Sequence, residues 1–173
     1  MGRWKPPRRA GSPYITAAGY LALQDELKTL WLRRRDVVAA LSAAAAEGDR
    51  SENAEYIYRK KELGGIDRRI RYVQKRLPIL QIVRHRVPPE QVFFGAEVTL
   101  DFGEQECVRY RLVGEDEADA AGGKINIDSP VAQALLKKRV GDQVLIAIEK
   151  QKKTATIKSI EYEIHDDGSE QGP

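Results

Sequence analysis

The sequence has few of the residues that disulfide bonds, zinc sites or membrane-spanning segments require. Its 173 residues include one cysteine, Cys107, so an internal disulfide is excluded and a reducing cytoplasm is the expected compartment. The two histidines, His85 and His165, are far apart, and with one cysteine they exclude a zinc site of the usual Cys/His type. No apolar run approaches the roughly 18 residues of a membrane span, and the N-terminus lacks the apolar segment of a secretory signal. We expect a cytoplasmic protein with no membrane association.

Nucleophile triads, phosphate-binding glycine loops and dinucleotide-binding motifs are also missing. What the sequence has instead is charge, unevenly distributed. Residues 1–85 contain 18 Lys and Arg against 9 Asp and Glu, whereas residues 86–173 contain 11 against 17. The resulting +9 and −6 predict two modules with different partners. Composition further predicts a basic disordered arm at 1–13 and an acidic disordered tail at 163–173.

Two segments with heptad spacing predict an antiparallel coiled-coil hairpin over residues 14–80. Thr16 can cap a first helix that runs to about Ala46, and a second helix is expected from about Arg50 to Leu80. Seam residues recur in steps of three and four in both segments, with Arg34 as a polar interruption. Because the seams are equally long and a glycine-containing connection joins them, the helices are expected to pair over about 36 Å.

After a linker at 81–91, the hydrophobic period changes from helical to alternating and predicts an α+β domain over residues 92–162. Strands are expected at Ala96–Leu100, Glu106–Val113, Lys124–Asp128, Gln143–Ile148 and Thr154–Tyr162. Ser129 and Pro130 are typical of a helix start, so one helix is expected over Val131–Arg139. One helix on a small, mostly antiparallel sheet is the predicted architecture.

Acidic residues cluster in the connection of the hairpin, at 47–55. Asp49 and Glu52 have the spacing of a capping box, in which carboxylates satisfy the first amides of a helix. The same two carboxylates can supply part of the oxygen shell of a Mg²⁺ ion, although two acids alone make a weak site that needs further ligands. The spacing leaves both interpretations open.

The second helix also has a dense run of positive charge. Eight Lys and Arg lie between Arg59 and Arg76, against two acids. Such a run favours contacts with the phosphates of a nucleic acid, and the alternative is a solvated helix face without a ligand.

Three segments resemble the bacterial Gre transcript-cleavage factors, of the GreB type. GDRSENAEYIYRKKELGGIDRRIRYVQKRL at 48–77 is similar to the tip and second helix of that family. FFGAEV at 93–98 and INIDSPVAQALLKKRVGD at 125–142 are similar to its C-terminal domain. The resemblance covers about residues 14–162. It implies an N-terminal antiparallel coiled-coil hairpin followed by an FKBP-like α+β domain.

The resemblance implies a transcription elongation factor, because members of this family bind bacterial RNA polymerase. The FKBP-like domain docks at the rim of the secondary channel, and the coiled coil enters the channel. The polymerase then cleaves its own backtracked nascent RNA. The protein would not be an enzyme by itself but would complete the active site of the DNA-bound polymerase. We expect a monomer when it is free.

Site residues follow from the resemblance by motif. Asp49 and Glu52 would help hold a Mg²⁺ shared with the polymerase and orient water. The residues expected to shape the tip are Gly48, Arg50, Ser51 and Asn53. The residues expected to contact the RNA 3′ end are Lys60, Lys61 and Arg68. The residues expected to face the polymerase are Asp128, Ser129 and Pro130.

Gly64 and Gly65 depart from the family pattern and predict a soft spot or bend, unless the flanking Leu63 and Ile66 hold the helix. Three other functions are weighed against transcript cleavage. A channel-binding regulator without cleavage activity is disfavoured because both tip acids are retained. A peptidyl-prolyl isomerase is disfavoured because few aromatic residues are available to line its pocket. A general nucleic-acid-binding coiled coil would bind free RNA with strong salt dependence.

Overall fold

The computed structural model describes residues 11–46, 54–86, 88–103, 106–148 and 151–164. The described residues form two compact units, one of residues 18–80 and one in which residues up to 17 join residues from 81 onward. Within the described ranges, no helix is long and apolar enough to cross a membrane. Most of the predicted basic arm and acidic tail lies outside the described residues.

Two helices and a short 3₁₀ turn make up the helical unit. Helix α1 is Ala17–Ala46 and helix α2 is Ala54–Arg76, followed by the turn Leu77–Ile79. The helix start predicted after Thr16 is confirmed, and α1 is helical up to Ala46, beyond which residues 47–53 are not described. Helix α2 ends before the predicted Leu80 because Pro78 disfavours the α conformation at the residue that precedes it. The predicted start of the second helix near Arg50 lies outside the described residues.

Apolar contacts between α1 and α2 confirm the predicted seam. Val37, Ile66 and Ile70 are buried against one another. The partly buried residues that pack against them are Leu27, Leu30 and Leu63. Arg34, the predicted polar interruption, places its Nε 2.7 Å from Asp67 Oδ1 on the other helix.

Ion pairs between the helices establish their direction. Arg33 Nη2 lies 2.6 Å from Glu62 Oε1, and Arg69 Nε lies 2.6 Å from Glu26 Oε1. The residue numbers of the partners fall along α2 as they rise along α1, so the antiparallel hairpin is confirmed.

Helix α2 continues through Gly64 and Gly65 without a break. A Cβ built at Gly64 would lie 3.5 Å from Arg68 Nη1, which is an ordinary van der Waals distance. The site therefore has room for a side chain, and the glycine is not required by close packing among the described residues.

Gly64→Ala is expected to stabilise the hairpin by about 1 kcal/mol, because glycine is that much less favourable than alanine inside a helix. Thermal and urea unfolding, followed by helical circular dichroism, would measure the change. Gly95→Ala is the matched control and should destabilise the protein, because Gly95 has φ of +82°. A loss of stability in Gly64→Ala would contradict the prediction.

A five-stranded sheet forms the second unit. Its strands are β3 (Glu97–Asp101), β4 (Cys107–Val113), β5 (Lys124–Asn126), β6 (Gln143–Ile148) and β7 (Gln151–Glu161). Their order is β5-β4-β3-β7-β6, and only the β4–β5 pair is parallel. Helix α3 (Pro130–Leu135) contributes Ala132 and Leu135 to the core of this unit. The predicted α+β architecture, mostly antiparallel with one helix, is confirmed.

Two segments that the sequence assigned to the coiled coil and to the linker belong to the sheet unit. Strand β1 (Tyr14–Ile15), predicted to begin the coiled coil, pairs in parallel with β2 (Gln81–Ile82), predicted to be linker. Further along the predicted linker, Gln91 forms a bridge with Arg139. Both strands have only two residues, and no periodicity can be recognised over that length.

Helix α3 is shorter than predicted. Ser129 caps it as expected, since its Oγ accepts a hydrogen bond from the Ala132 amide at 3.2 Å. The helix ends at Leu135 rather than at Arg139, because Lys137 adopts a φ of +64° and its amide donates to the Val92 carbonyl at 2.8 Å. Backbone pairing with a distant segment thus ends the helix.

Candidate functional site

The six predicted tip residues are not among the described residues. They are Gly48, Asp49, Arg50, Ser51, Glu52 and Asn53. Their roles therefore stay predictions. In the parts of the chain that the structure describes, no group of three or more His, Cys, Asp or Glu side chains could hold a metal ion. Glu55 is the described acid that follows the tip residues most closely in the sequence, and it is paired with Arg59 at 2.7 Å.

The positive charges of α2 divide into two groups. Arg59 and Arg69 are ion-paired with acids of the hairpin, and Arg76 is buried. Five cations are exposed and have no carboxylate within ion-pair distance among the described residues. These five, called the exposed cations below, are Lys60, Lys61, Arg68, Arg71 and Lys75. The three residues predicted to contact RNA are thus exposed cations, and their role in RNA binding stays a prediction.

Most of the exposed cations share one face of α2. Lys61, Arg68 and Lys75 recur every seven residues and lie opposite the buried Ile70. Arg71 lies three residues after Arg68 and four before Lys75, so it borders the same face. From Lys61 to Lys75 this face is about 21 Å long. Arg71 and Lys75 belong to the basic run noted in the sequence but are not among the three residues predicted to contact RNA. Their spacing from the seam could have identified them.

The acids within the basic run of α2 are neutralised by arginines of α1. Glu62 accepts hydrogen bonds from Arg33 and Arg59, and the first of these is the main reason that the pKa of its carboxyl is lowered. Asp67 is paired with Arg34. Since both carboxylates are paired with arginines of α1, they do not offset the exposed cations, and the outward face is strongly basic.

The residues predicted to face the polymerase lie together at the start of α3. Asp128 is exposed and accepts a hydrogen bond from the Ser12 amide at 2.7 Å. Ser129 caps the helix and Pro130 is its first residue. The structure therefore brings all three onto one turn. Contact with a polymerase stays a prediction.

Glu117 forms hydrogen bonds with the residue that precedes α1. The sequence did not predict this role for Glu117. Its carboxylate accepts hydrogen bonds from the Thr16 amide at 3.0 Å, from the Thr16 hydroxyl, and from the Gly114 amide at 3.4 Å. Thr16 directly precedes the first residue of α1, Ala17. A partner 101 residues away leaves no local signal in the sequence.

Comparison with known proteins covers both units. The family described as "Transcription elongation factor, N-terminal" (GreA_GreB_N) matches residues 13–82, and "Transcription elongation factor, GreA/GreB, C-term" matches residues 87–162. The chain is 54% identical to transcription elongation factor GreB of Xanthomonas axonopodis pv. citri, over 94% of this chain and 98% of that protein. It is 49% identical to GreB of Pseudomonas aeruginosa, again over 94% and 98%.

Solved structures also match most of the chain. The GreA factor homolog 1 (Gfh1) protein of Thermus thermophilus covers 86% of this chain and 97% of its own, with 24% sequence identity and a TM-score of 0.41.

Proposed function

This chain belongs to the GreA/GreB family of transcription elongation factors, and from that premise we propose that it stimulates the cleavage of backtracked nascent RNA by bacterial RNA polymerase. One observation carries the proposal: family matches at 13–82 and 87–162 together span almost all of the described chain. The identity of 54% to a GreB protein over 94% of this chain supports the same function.

The two units have different proposed roles. The sheet unit docks on the polymerase through the turn that contains Asp128, Ser129 and Pro130. The hairpin enters the secondary channel, and the 30 residues of α1 give it a length of about 45 Å. The free protein is proposed to be a monomer in the cytoplasm.

The chain is proposed to complete an active site rather than to form one alone. Asp49 and Glu52 would position a Mg²⁺ ion and a water molecule at the polymerase active centre. Bound there, the ion would stabilise the charge that develops on the RNA phosphate during hydrolysis. Two carboxylates are too few for a stable Mg²⁺ site, so the polymerase and the RNA must provide the other ligands.

The exposed cations are proposed to hold the extruded RNA 3′ end through its phosphates. Lys60, Lys61 and Arg68 lie nearest to the tip among them. Because Glu62 and Asp67 are already paired with arginines of α1, the charge of the exposed cations is available to the RNA.

A backtracked elongation complex with labelled RNA tests the proposal. The full-length protein is expected to accelerate release of a short 3′ fragment and to leave RNA that the polymerase can extend again. Co-sedimentation would measure polymerase binding separately. Binding without cleavage would favour the channel-binding regulator, and absence of binding would contradict the proposed function.

A further inference from the structure

We propose that α2 also carries a stacking surface for unpaired nucleobases, formed by Tyr58, Lys61, Gly65, Arg68 and Tyr72 and called the tyrosine track below. The inference rests on the proposed function in one respect, since it takes single-stranded RNA as the ligand. It adds recognition of the base faces to the phosphate contacts of the exposed cations.

Spacing places the track on a single stripe of the helix. Its members follow one another in steps of three, four, three and four residues, which aligns them along one side of an α-helix. Tyr58 and Tyr72 are therefore about 21 Å apart along the axis. Their exposed fractions are 59% and 41%, so neither ring is part of the hairpin core.

Gly65 lies midway between the tyrosines. Because it has no side chain, the helix surface is recessed at that point. A Cβ built there would be 3.9 Å from Arg68 Nη2, and one built at Gly64 would be 3.5 Å from Arg68 Nη1. The guanidinium of Arg68 thus lies back over the glycine turn. Its planar face gives the track a third surface on which a base can stack, between the two rings.

Cations accompany both aromatic rings. Arg59 Cζ lies 5.6 Å from the ring centroid of Tyr58, and Arg69 Cζ lies 5.2 Å from that of Tyr72. Both arginines are ion-paired with hairpin acids, which restrains them beside the rings. Exposed Lys61 lies between the tyrosines and can reach a phosphate.

This combination of features fits a single-stranded nucleic acid. Positive charges that follow the backbone, together with aromatic rings on which bases stack, are typical of proteins that bind single strands. A duplex keeps its base faces inside the stack and could use only the charges. The proposed ligand is therefore the unpaired 3′ segment of RNA, with its phosphates at Lys61 and its bases on the rings.

Fluorescence of a short single-stranded RNA that contains 2-aminopurine tests the track directly with the full-length protein at low salt. Stacking on the wild-type tyrosines is expected to quench the fluorescence. Tyr58→Ala and Tyr72→Ala should each weaken binding about tenfold, whereas Tyr58→Phe and Tyr72→Phe should bind like wild type. Ile57→Ala is the matched control, because Ile57 is 53% exposed in the same helical turn but has no ring.

Salt dependence separates stacking from charge. Lys61→Ala should reduce the slope of affinity against salt concentration, and the tyrosine variants should leave that slope unchanged. Circular dichroism of each variant would verify that the helices are retained. Three results would overturn the proposed track. They are wild-type protein that does not quench the probe's fluorescence, alanine variants that bind the RNA like wild type, and duplex RNA that binds as tightly as single-stranded RNA.

Cleavage assays distinguish this inference from the proposed function. If wild type stimulates cleavage and the alanine variants match it in RNA binding, the track is wrong and the proposed function stands. If the tyrosines quench the RNA probe but wild type never stimulates cleavage, the track stands and the proposed function fails.

Discussion

Replacing Asp49 and Glu52 together by alanine is expected to abolish stimulated RNA cleavage while binding to the polymerase remains. The reason is that the tip carboxylates are proposed to position the ion and the water, whereas docking is assigned to the sheet unit. Loss of groups that position a catalytic metal or stabilise developing charge typically lowers rates by on the order of 100-fold or more. Single-turnover cleavage in a backtracked complex, at saturating factor, would measure the loss.

Conservative variants make this test sharper. Asp49→Asn and Glu52→Gln retain side-chain shape and much of the capping ability but remove the negative charge. Glu55→Gln is the matched control, because its exposed carboxylate is paired with Arg59 at 2.7 Å and has no proposed role at the tip. The control should cleave like wild type.

Magnesium dependence distinguishes metal positioning from helix capping. If the tip acids position Mg²⁺, Asp49→Asn and Glu52→Gln should retain residual cleavage that rises at higher Mg²⁺ concentration. If they are only caps, Asp49→Asn and Glu52→Gln should cleave like wild type without a shift in the Mg²⁺ titration, and only the alanine variants should lose hairpin stability. Full cleavage by the double alanine variant would contradict the catalytic role.

Leu100→Ala is expected to destabilise the sheet unit by about 3 kcal/mol, the middle of the range for buried leucine truncations. Leu100 has no exposed surface and lies on β3, between β4 and β7. Its removal leaves a cavity beside Ile157, which is its partner on β7 and belongs to the same core. Amide hydrogen exchange in β3 and β7 should become about 100-fold faster, because 1.4 kcal/mol corresponds to a factor of ten.

Leu145→Ala is the matched control for that substitution. Leu145 lies on β6 of the same sheet, but it is 55% exposed. Truncation of an exposed leucine creates no cavity, so the free energy of unfolding should change by less than about 1 kcal/mol. Equal effects of the two substitutions would show that Leu100 does not lie in a packed core.

Local patterns account for most of the fold that was predicted correctly. Heptad spacing indicated the seam around Val37, Ile66 and Ile70, because every third or fourth residue of a helix faces the same neighbour. Alternation indicated the strands, and β3 shows it plainly, since Val98 and Leu100 are buried while their neighbours are partly exposed. The Ser129 cap is also local, because its partner is only three residues away.

The RNA-binding candidates were only partly determined by sequence. Composition indicated a basic helix, and the resemblance to the family selected Lys60, Lys61 and Arg68. It did not show that Arg59 and Arg69 are paired with acids of the hairpin. The Arg69–Glu26 pair depends on which residues of the two helices face each other, whereas Arg59 pairs with Glu62 three residues further along its own helix.

By itself, the sequence determined two modules, the antiparallel hairpin, the α+β class and, through its motifs, the family. Only the tertiary structure decided where the modules divide, because strand β1 pairs with β2 across more than sixty residues of chain. It alone showed that Glu117 holds Thr16 and that Asp128 holds Ser12. Such contacts form only when folding brings distant segments together. The local sequence around each of these residues does not determine which distant residue it will contact.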